Sequence, residues 1–455
     1  MVDRLTILSP TGHLGFTPIE RGSFEIGVSH RPDLIVADSG SCDIGPQPLG
    51  ADEHCSPEEW QRHDLELMLR AARELGVPMI VGSASDTGTD RGVNQYADII
   101  RDLTRRLGLA PLPAGHDLLG GAPRRGGPAP RGRRPCRGAR RPLRSHPGRS
   151  RPHRSSRRGH GVAPVIRALD EGAEVIVTGR SSDSCIFAAP AIRAGFPEGA
   201  AYYLGKVLEC ASFAAEPFMG KESVLGTVTA DAVTVTAMHP GQRCTVASVA
   251  SHAIYERANP FFEHVAGGVL DMSRCRYEQI DERTARVTGF EFRRDAVYRI
   301  KLEGAGKIGE RAVSIAGIRD PYTIKHVDAV MAWARSKVEE RWGPSGARYQ
   351  LYYHVYGRDG VMGPWEPVHT LAHELCIVVE SVAPRFEDAE VICALGTRNL
   401  FYARLPEVKG TAGTAALMMD EVLRGKPGYE WTVNHVLPLA DPLELCTVKL
   451  EVVGG

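Results

Sequence analysis

Four apolar segments share one plan, and this plan limits the folds that the chain can adopt. Each begins with a run rich in Val, Ile or Leu and ends in a loop of small polar residues. The segments are LTILSPTG, LIVADSGSCD, MIVGSASDTG and VIVTGRSSDS. Continuous apolar runs of strand length are typical of strands buried on both faces of a parallel sheet. We therefore predict a core of parallel strands.

Helical patterns lie between these segments. After Ser56 the chain carries apolar residues at helical spacing, and Ser56 and Glu59 are spaced as a capping box. Gly76 is expected to end this helix, and Pro164 to begin another one before the fourth apolar run. Strands that alternate with helices in this way predict an α/β fold with a doubly wound, mostly parallel sheet.

The pattern changes near residue 221. Beyond it, several segments alternate apolar and polar residues, and helices are expected only over residues 326–343, 387–405 and 415–425. This pattern predicts a smaller α+β domain with a mainly antiparallel sheet. We therefore divide the chain into an α/β domain over residues 1–221, which holds the candidate site, and an α+β domain over residues 222–455.

The carboxyl ends of parallel strands meet at one edge of a sheet, where such sheets bind ligands. Backbone N–H groups, hydroxyls and a guanidinium at this edge could hold a carboxylate, while carboxyl groups could act as acid or base or bind a cation such as Mg²⁺. The predicted substrate-binding residues are Ser39, Gly40, Ser41, Gly82, Ser83, Arg180, Ser181 and Ser182. The predicted catalytic residues are Asp38, Asp43, Asp86 and Asp183.

Other interpretations of these residues stay open. Small polar residues also form turns and helix caps. Cys42 precedes an expected helix, so a Cys–His nucleophile with His13 as base is a second hypothesis. His369 and His373 would share a helical face at the spacing of a zinc pair, but a third ligand is not obvious, and capping or core histidines are favoured. The chain has no nucleotide-binding fingerprint, and the cofactor is left open.

Residues 111–160 include an anomalous segment rich in Arg, Pro and Gly. Between residues 122 and 161 there are fourteen arginines but no Lys, Asp or Glu. Such a composition cannot bury a core. A reading-frame shift in a GC-rich gene is the favoured explanation, before a disordered insert and a nucleic-acid-binding arm. Without these arginines, acidic residues outnumber basic ones in a chain that has 55 of each, so nucleic acid is not the expected partner.

Composition also bears on the cellular location of the protein. The longest apolar runs are strand-sized, far below the ~20 residues of a membrane helix. The first residues, MVDRLTILSPTG, lack the pattern of a secretory signal, and the ten cysteines include no C-x-x-C pair. We expect a cytoplasmic protein with reduced thiols and no contact with a membrane.

Longer stretches of the sequence resemble a known family. The segments ADSGSCDIGPQPLG, HPGQRCTVASVASHAIYE, VYGRDGVMG and HELCIVVE are similar to the acyclic terpene utilisation AtuA family, and the resemblance spans nearly the whole chain. It implies a role in the catabolism of acyclic terpenes, such as citronellol and geraniol, and of small branched acids. It places the site on the loops DSGSCD and GRSSDS. Members carry an ordinary strand–helix segment where this chain carries the arginines, which supports the frameshift hypothesis.

These observations lead to two hypotheses about function. The first is a hydratase, lyase or isomerase that acts on a small carboxylate or acyl substrate, because no redox fingerprint is present and proton chemistry suits the carboxyl groups. The second is a non-catalytic subunit or ligand-binding scaffold that needs a small partner protein, which the family often has. We expect a homo-oligomer in either case.

Overall fold

A computed structural model describes residues 2–40, 43–119, 155–407, 413–417 and 422–454, with the backbone alone for residues 117–119 and 155–158. Ser41, Cys42 and the arginine-rich residues 120–154 lie outside the described residues, so the predictions made for them stay predictions. The chain divides into two compact units, one of Met1–Ala305 with Trp431–Gly455 and the other of Gly306–Glu430.

The first unit begins with alternating strands and helices. Its strands are β1 (Leu5–Ser9), β2 (Leu34–Asp38), β3 (Met79–Gly82), β4 (Leu112–Leu119), β5 (Ser155–Gly159) and β6 (Val175–Val177). Its helices are α1 (Arg21–Ser29), α2 (Pro46–Ala51), α3 (Glu58–Leu75), α4 (Asp90–Arg106), α5 (Ala163–Asp170), α6 (Cys185–Arg193) and α7 (Glu198–Leu208).

Strands β1, β2, β3, β6 and β4 lie side by side in this order, and all are parallel. Alternate side chains of each strand point to opposite faces, so Val36 packs with α5, α6 and α7, whereas Ile35 packs with α3 and α4. Helix α5 lies on the face opposite to α4, and β6 is inserted between β3 and β4. The predicted α/β class with a parallel sheet is confirmed.

The first unit continues with shorter strands. They are β7 (Val224–Val228), β8 (Ala232–Ala237), β9 (Phe262–Val265), β10 (Gly268–Asp271), β11 (Arg276–Asp281), β12 (Thr284–Thr288) and β13 (Glu291–Arg294), with a 3₁₀ turn at Ala211–Ala214 and helix α8 (Val246–Ile254). Strand β7 pairs antiparallel with β1, and β8, β12 and β11 extend the sheet. Strands β13, β10 and β9 form a separate small sheet. The domain boundary predicted near residue 221 falls in the connection from α7 to β7, inside this unit.

The second unit is built on an antiparallel sheet. Its elements are β14 (Arg299–Ile318), α9 (Pro321–Lys325), α10 (Val327–Trp342), β15 (Gln350–Tyr356), a 3₁₀ turn at Gly363–Trp365, β16 (Leu375–Ala383), α11 (Phe386–Tyr402), β17 (Ala416–Leu417) and β18 (Leu423–Pro438). Strands β14 and β18 contain the boundaries between the units. Strand β16 pairs antiparallel with both β14 and β15, which confirms the smaller α+β region.

Two of the three helices predicted in this region are confirmed as α10 and α11. The third, over residues 415–425, is wrong for the residues that the structure describes, because they form β17 and the start of β18. Leu417 pairs with Ala316 of β14. A neighbouring strand with open hydrogen-bonding groups therefore overrides the helical spacing of these residues.

One further strand, β19 (Cys446–Val453), completes the large sheet of the first unit. It pairs antiparallel with β4 over eight residues, so the sheet has ten strands with β11 and β19 at its edges. Within the described part of the chain, no helix has both the length and the apolar character needed to cross a membrane.

Candidate functional site

The loops that follow β1, β2, β3 and β6 meet at the carboxyl edge of the parallel sheet. Backbone hydrogen bonds join each loop to its neighbour. They run from Leu14 N to Asp38 O, from Ser39 N to Gly82 O and from Ser83 N to Gly179 O, at 2.9, 2.9 and 3.2 Å. Side chains from four separate segments are thereby brought into one polar cluster, which we call the strand-tip cluster: His13, Asp38, Ser83, Asp86, Arg180, Ser181 and Asp183.

Arg180, in the loop after β6, connects these loops. Its side chain is 6% exposed. Its Nη1 donates to Gly40 O at 2.9 Å, Ser83 Oγ at 3.2 Å and Asp183 Oδ1 at 2.9 Å. Its Nε lies 3.7 Å from Glu303 Oε2. Because Nη1 already serves three acceptors inside the protein, these contacts favour a positioning role for Arg180, and its predicted role as a carboxylate clamp stays a prediction.

Asp38 ends β2 and is buried in the strand-tip cluster, with only 5% of its surface exposed. Its Oδ2 accepts a hydrogen bond from Gly40 N at 3.3 Å, whereas Oδ1 accepts none from any residue that the structure describes. Burial raises the pKa of the Asp38 carboxyl to about 8, and the charge of Asp183 adds to this effect. Arg180 and the Ser83 hydroxyl act in the opposite direction without cancelling it. Asp38 is therefore protonated at neutral pH and can donate a proton.

Asp86 lies in the loop after β3 and is also buried, but its surroundings have the opposite effect on its pKa. Its carboxylate accepts hydrogen bonds from His13 Nε2 at 3.0 Å, Ser56 Oγ at 2.6 Å and the backbone N–H groups of Cys55 and Ser56 at 2.9 Å. Burial alone would raise the pKa of Asp86, but the bonds from His13 and Ser56 lower it to about 2. Four donors saturate a carboxylate, so these contacts favour a structural role for Asp86.

The predicted capping box of α3 is wrong, and the contacts of Asp86 explain why. The Ser56 hydroxyl donates to Asp86 instead of capping the helix. Helix α3 begins at Glu58 after Pro57, and no side chain of its N-cap residue accepts a hydrogen bond. The N–H and the hydroxyl of Ser56 both donate to Asp86, which fixes Ser56 one residue before the N-cap position, and Pro57 at that position has no side-chain acceptor.

The loop after β3 has an uncommon backbone. Ser83, Ser85 and Asp86 have φ angles of 50°, 55° and 65°, and Gly88 has a φ angle of 62°. Left-handed conformations at residues other than glycine cost about 1–3 kcal/mol each, and they are concentrated at functional sites. The loop is held in this form from both sides, because Asp86 N donates to Ser39 O and Arg180 N donates to Gly88 O, both at 2.9 Å.

Two predicted glycines are required by close packing. A Cβ atom on Gly82 would lie 2.7 Å from Asp38 Oδ1, and one on Gly40 would lie 2.7 Å from the carbonyl oxygen of Ser83. Both distances are too short for a real side chain. The absence of side chains at these positions therefore allows Asp38 and the loop after β3 to approach each other.

The other predicted residues differ in their surroundings. Ser39 directs its hydroxyl to Tyr96 at 2.6 Å in the core, while Ser181 Oγ lies 3.3 Å from Ser83 Oγ in the strand-tip cluster. Ser182 and Asp183 are half-buried, and Asp43 is exposed. Asp43 acts on Glu256, whose pKa is raised first by burial and then by this charge.

Lys221, Cys210 and Glu303 lie near the strand-tip cluster, but the sequence did not single them out as site residues. Lys221 Nζ donates to His13 O at 3.1 Å, and the Cys210 thiol lies 3.9 Å from Gly12 O. Lys221 precedes β7, which runs antiparallel to β1, so its position could have been inferred only if that pairing had been known. Glu303 belongs to β14, far along the chain, and no sequence signal would have placed it there.

The sequence also raised a zinc pair at His369 and His373. These residues lie between the 3₁₀ turn and β16, in a segment without helical structure. The prediction that they share a helical face is therefore wrong. Among the described residues, no group of three or more His, Cys, Asp or Glu side chains has the arrangement of a metal site.

Comparison with known proteins adds one match. The family model described as "Acyclic terpene utilisation family protein AtuA" matches residues 24–429. This range includes the loops after β2, β3 and β6. No curated protein and no solved structure matches the chain.

Proposed function

The chain belongs to the acyclic terpene utilisation AtuA family, and we propose that it is an enzyme of acyclic terpene or small branched acid catabolism. The proposed reaction is a hydration, an elimination or an isomerisation of a small carboxylate or acyl substrate. These reactions need proton transfer and no redox cofactor. The strand-tip cluster supplies two carboxyl groups for which we propose different tasks.

The observation that carries this proposal is the state of Asp38. A carboxyl group that is buried, protonated near neutral pH and left with one oxygen unbonded among the described residues has the properties of a general acid. A purely structural aspartate would be expected to have its oxygens satisfied, as Asp86 has.

Asp183 is the group that we propose as the base. Its side chain is 39% exposed, so a substrate can reach it, and Arg180 holds its Oδ1 at 2.9 Å. In an elimination, Asp183 would take the proton from the carbon next to the carbonyl, and Asp38 would give its proton to the departing hydroxyl, which leaves as water. Hydration is the reverse, so the two carboxyl groups exchange protonation states in each turnover.

Arg180 would stabilise both stages of this cycle. It lies beside Asp183 and also favours the charged form of Asp38. When Asp38 has lost its proton, the guanidinium supplies the compensating positive charge. A buried charge without such compensation is strongly unfavourable.

The experiment that tests the proposal is turnover by Asp38→Asn. Branched 2-enoyl and 3-hydroxyacyl thioesters, with the corresponding free acids, would be assayed for hydration and dehydration. Since a general acid contributes about 10²–10⁴-fold to the rate, the variant should lose activity by that factor while its circular dichroism is unchanged. Asp170→Asn is the matched control, because Asp170 is an exposed partner of Arg193 and should leave the rate unchanged.

Two results would contradict the proposal. Full turnover by a folded Asp38→Asn protein would exclude Asp38 as the acid. Binding of these compounds without turnover, with activity absent until a small partner protein is added, would favour the scaffold hypothesis instead.

A further inference from the structure

Lys221 is a half-buried cation that pairs with no carboxylate among the described residues. Its Nζ donates one hydrogen bond, to the carbonyl oxygen of His13 at 3.1 Å. Burial lowers the pKa of Lys221 to about 8, and Cys210, Asp64 and Asp86 act in the opposite direction without cancelling this effect. Removing an ammonium from water without a counter-ion costs free energy, so an anion is the expected complement of this side chain.

Four exposed apolar side chains belong to Lys221's own segment or to segments near it, and we call them the aromatic surface: Phe16, which contacts Lys221, Phe218 and Met219, which precede it in the chain, and Phe213, which contacts Phe218. They are 47%, 57%, 58% and 46% exposed. The Lys221 ammonium lies 4.8 Å from the centre of the Phe16 ring, and the rings of Phe213 and Phe218 stack at 5.3 Å. Adjacent exposed side chains of this kind on a folded protein indicate a binding site.

The aromatic surface and the strand-tip cluster adjoin through Lys221. His13, which accepts the bond from Lys221, pairs through its ring with Asp86. On the other side, the Cys210 thiol lies within electrostatic range of both Lys221 and Asp183. A ligand with its charged end at Lys221 would therefore lie next to the strand-tip cluster.

We propose that Lys221 and the aromatic surface bind an amphipathic monocarboxylate, with its carboxylate on the Lys221 ammonium and its alkyl chain on the phenyl rings. This inference rests on the proposed function and assigns the recognition of its substrate to residues that the proposed reaction does not use. It places the carboxylate at Lys221 and not at Arg180, since Arg180 Nη1 is engaged with Gly40, Ser83 and Asp183.

A small ligand fits these features better than a protein partner. Lys221 offers one half-buried positive charge, and the aromatic surface beside it consists of only four side chains. One negative charge attached to one alkyl chain complements both parts. A protein interface would be expected to bury a larger area on each partner, about 800 Å².

The test is equilibrium binding of octanoate, which the proposed reaction cannot convert, measured by calorimetry beside octanol and acetate. Octanoate should bind most tightly, because octanol lacks the charge and acetate lacks the chain. A hydrogen bond to a charged group contributes about 1.5–3 kcal/mol, so Lys221→Met should weaken octanoate binding about tenfold or more. The variant should leave octanol binding unchanged, and Phe218→Ser should weaken both. Lys325→Met, which removes an exposed lysine of α9, is the matched control.

A second measurement uses the wild-type chain alone and does not depend on the folding of any variant. Octanoate should protect Lys221 from reductive methylation, read by peptide mass spectrometry, whereas octanol should protect it less. Equal octanoate binding by wild type and Lys221→Met, or no protection of Lys221, would overturn the inference. Because octanoate is not turned over, this result is separate from that of Asp38→Asn: octanoate can bind as expected in a protein whose Asp38 proves to be dispensable.

Discussion

The two compact units bury different kinds of polar side chain. In the described residues of the second unit, the buried polar side chains are hydroxyls alone: Ser314, Thr323, Ser381 and Thr397. Two of them donate to nearby carbonyl oxygens, Ser381 to Ala389 and Thr397 to Cys393. The first unit buries charged groups as well, including Asp38, Asp64, Asp86, Arg180, Lys206 and Glu303.

This difference teaches where chemistry is located in the chain. A buried hydroxyl that donates to the nearest carbonyl stabilises a fold at little cost. Buried ionisable groups are expensive, and they are retained at strained, polar sites where their protonation can be used. The strand-tip cluster brings such groups together around the loop after β3, which has three left-handed residues that are not glycine. Among its described residues, the second unit has neither a buried Asp, Glu, Lys, Arg or His side chain nor a left-handed residue other than glycine.

The largest expected effect concerns Asp38. The pKa of Asp38 is 3.8 in the unfolded chain and about 8 in the folded one. At pH values between these two, the folded protein keeps a proton on Asp38 that the unfolded chain has lost. The free energy of unfolding of the wild type should therefore fall, relative to that of Asp38→Asn, as the pH rises from 3.8 to about 8. Urea unfolding of both proteins across this pH range, monitored by hydrogen exchange in β2 and β3, measures the difference in stability. If the free energies of unfolding of the two proteins changed in parallel with pH, Asp38 would behave like an exposed residue. The contrast between the two units would then be wrong.

Arg180→Met should have the next largest effect. It removes the guanidinium from the buried Arg180–Glu303 pair, and removing one partner of such a pair costs about 3–5 kcal/mol; Lys301, 2.7 Å from Glu303, keeps the loss toward the lower end of this range. The free energy of unfolding of the first unit should fall by this amount. Arg358→Met in the second unit is the matched control, since the exposed Asp328 is its partner and such pairs contribute about 0–1 kcal/mol. Equal losses in the two variants would contradict the difference between the units.

Asp86 should show the smallest of these effects, with the opposite sign to Asp38. Its folded pKa of about 2 lies below the unfolded value of 3.8, so its contribution to stability is complete above pH 3.8 and is lost as the pH falls toward 2. This contribution is of the order of 2 kcal/mol. Acid unfolding of wild type and Asp86→Asn, measured together, would show it as a difference that disappears at low pH. A constant difference would show that the bonds from His13 and Ser56 do not favour the ionised form.

Much of the parallel sheet could be predicted from the sequence, because strands buried on both faces leave continuous apolar runs such as LIVAD and MIVG. The same runs located the loops of the strand-tip cluster, since parallel strands end at one edge. The direction of a pKa shift could not be predicted in this way. Asp38 and Asp86 both lie at the ends of apolar runs, and what separates them is the set of donors and charges around each carboxylate.

The contributions of distant segments to the site could not be predicted from the sequence either. Lys221 and Glu303 reach the edge of the sheet through the antiparallel pairing of β7 and through β14, and neither element carries a motif that points to the site. The helix expected over residues 415–425 failed for a related reason, because its spacing is helical and its partner strand is remote. Local patterns identify local structure, whereas long-range pairings decide which residues complete a site.

The position of β19 has a consequence for how the chain is made. This strand covers β4, and a hydrogen bond between them joins His116 to Glu451, 335 residues apart. During synthesis, one side of β4 therefore stays without its partner until residues 446–453 have left the ribosome. An open strand edge invites pairing with other chains, so until then this edge is open to aggregation.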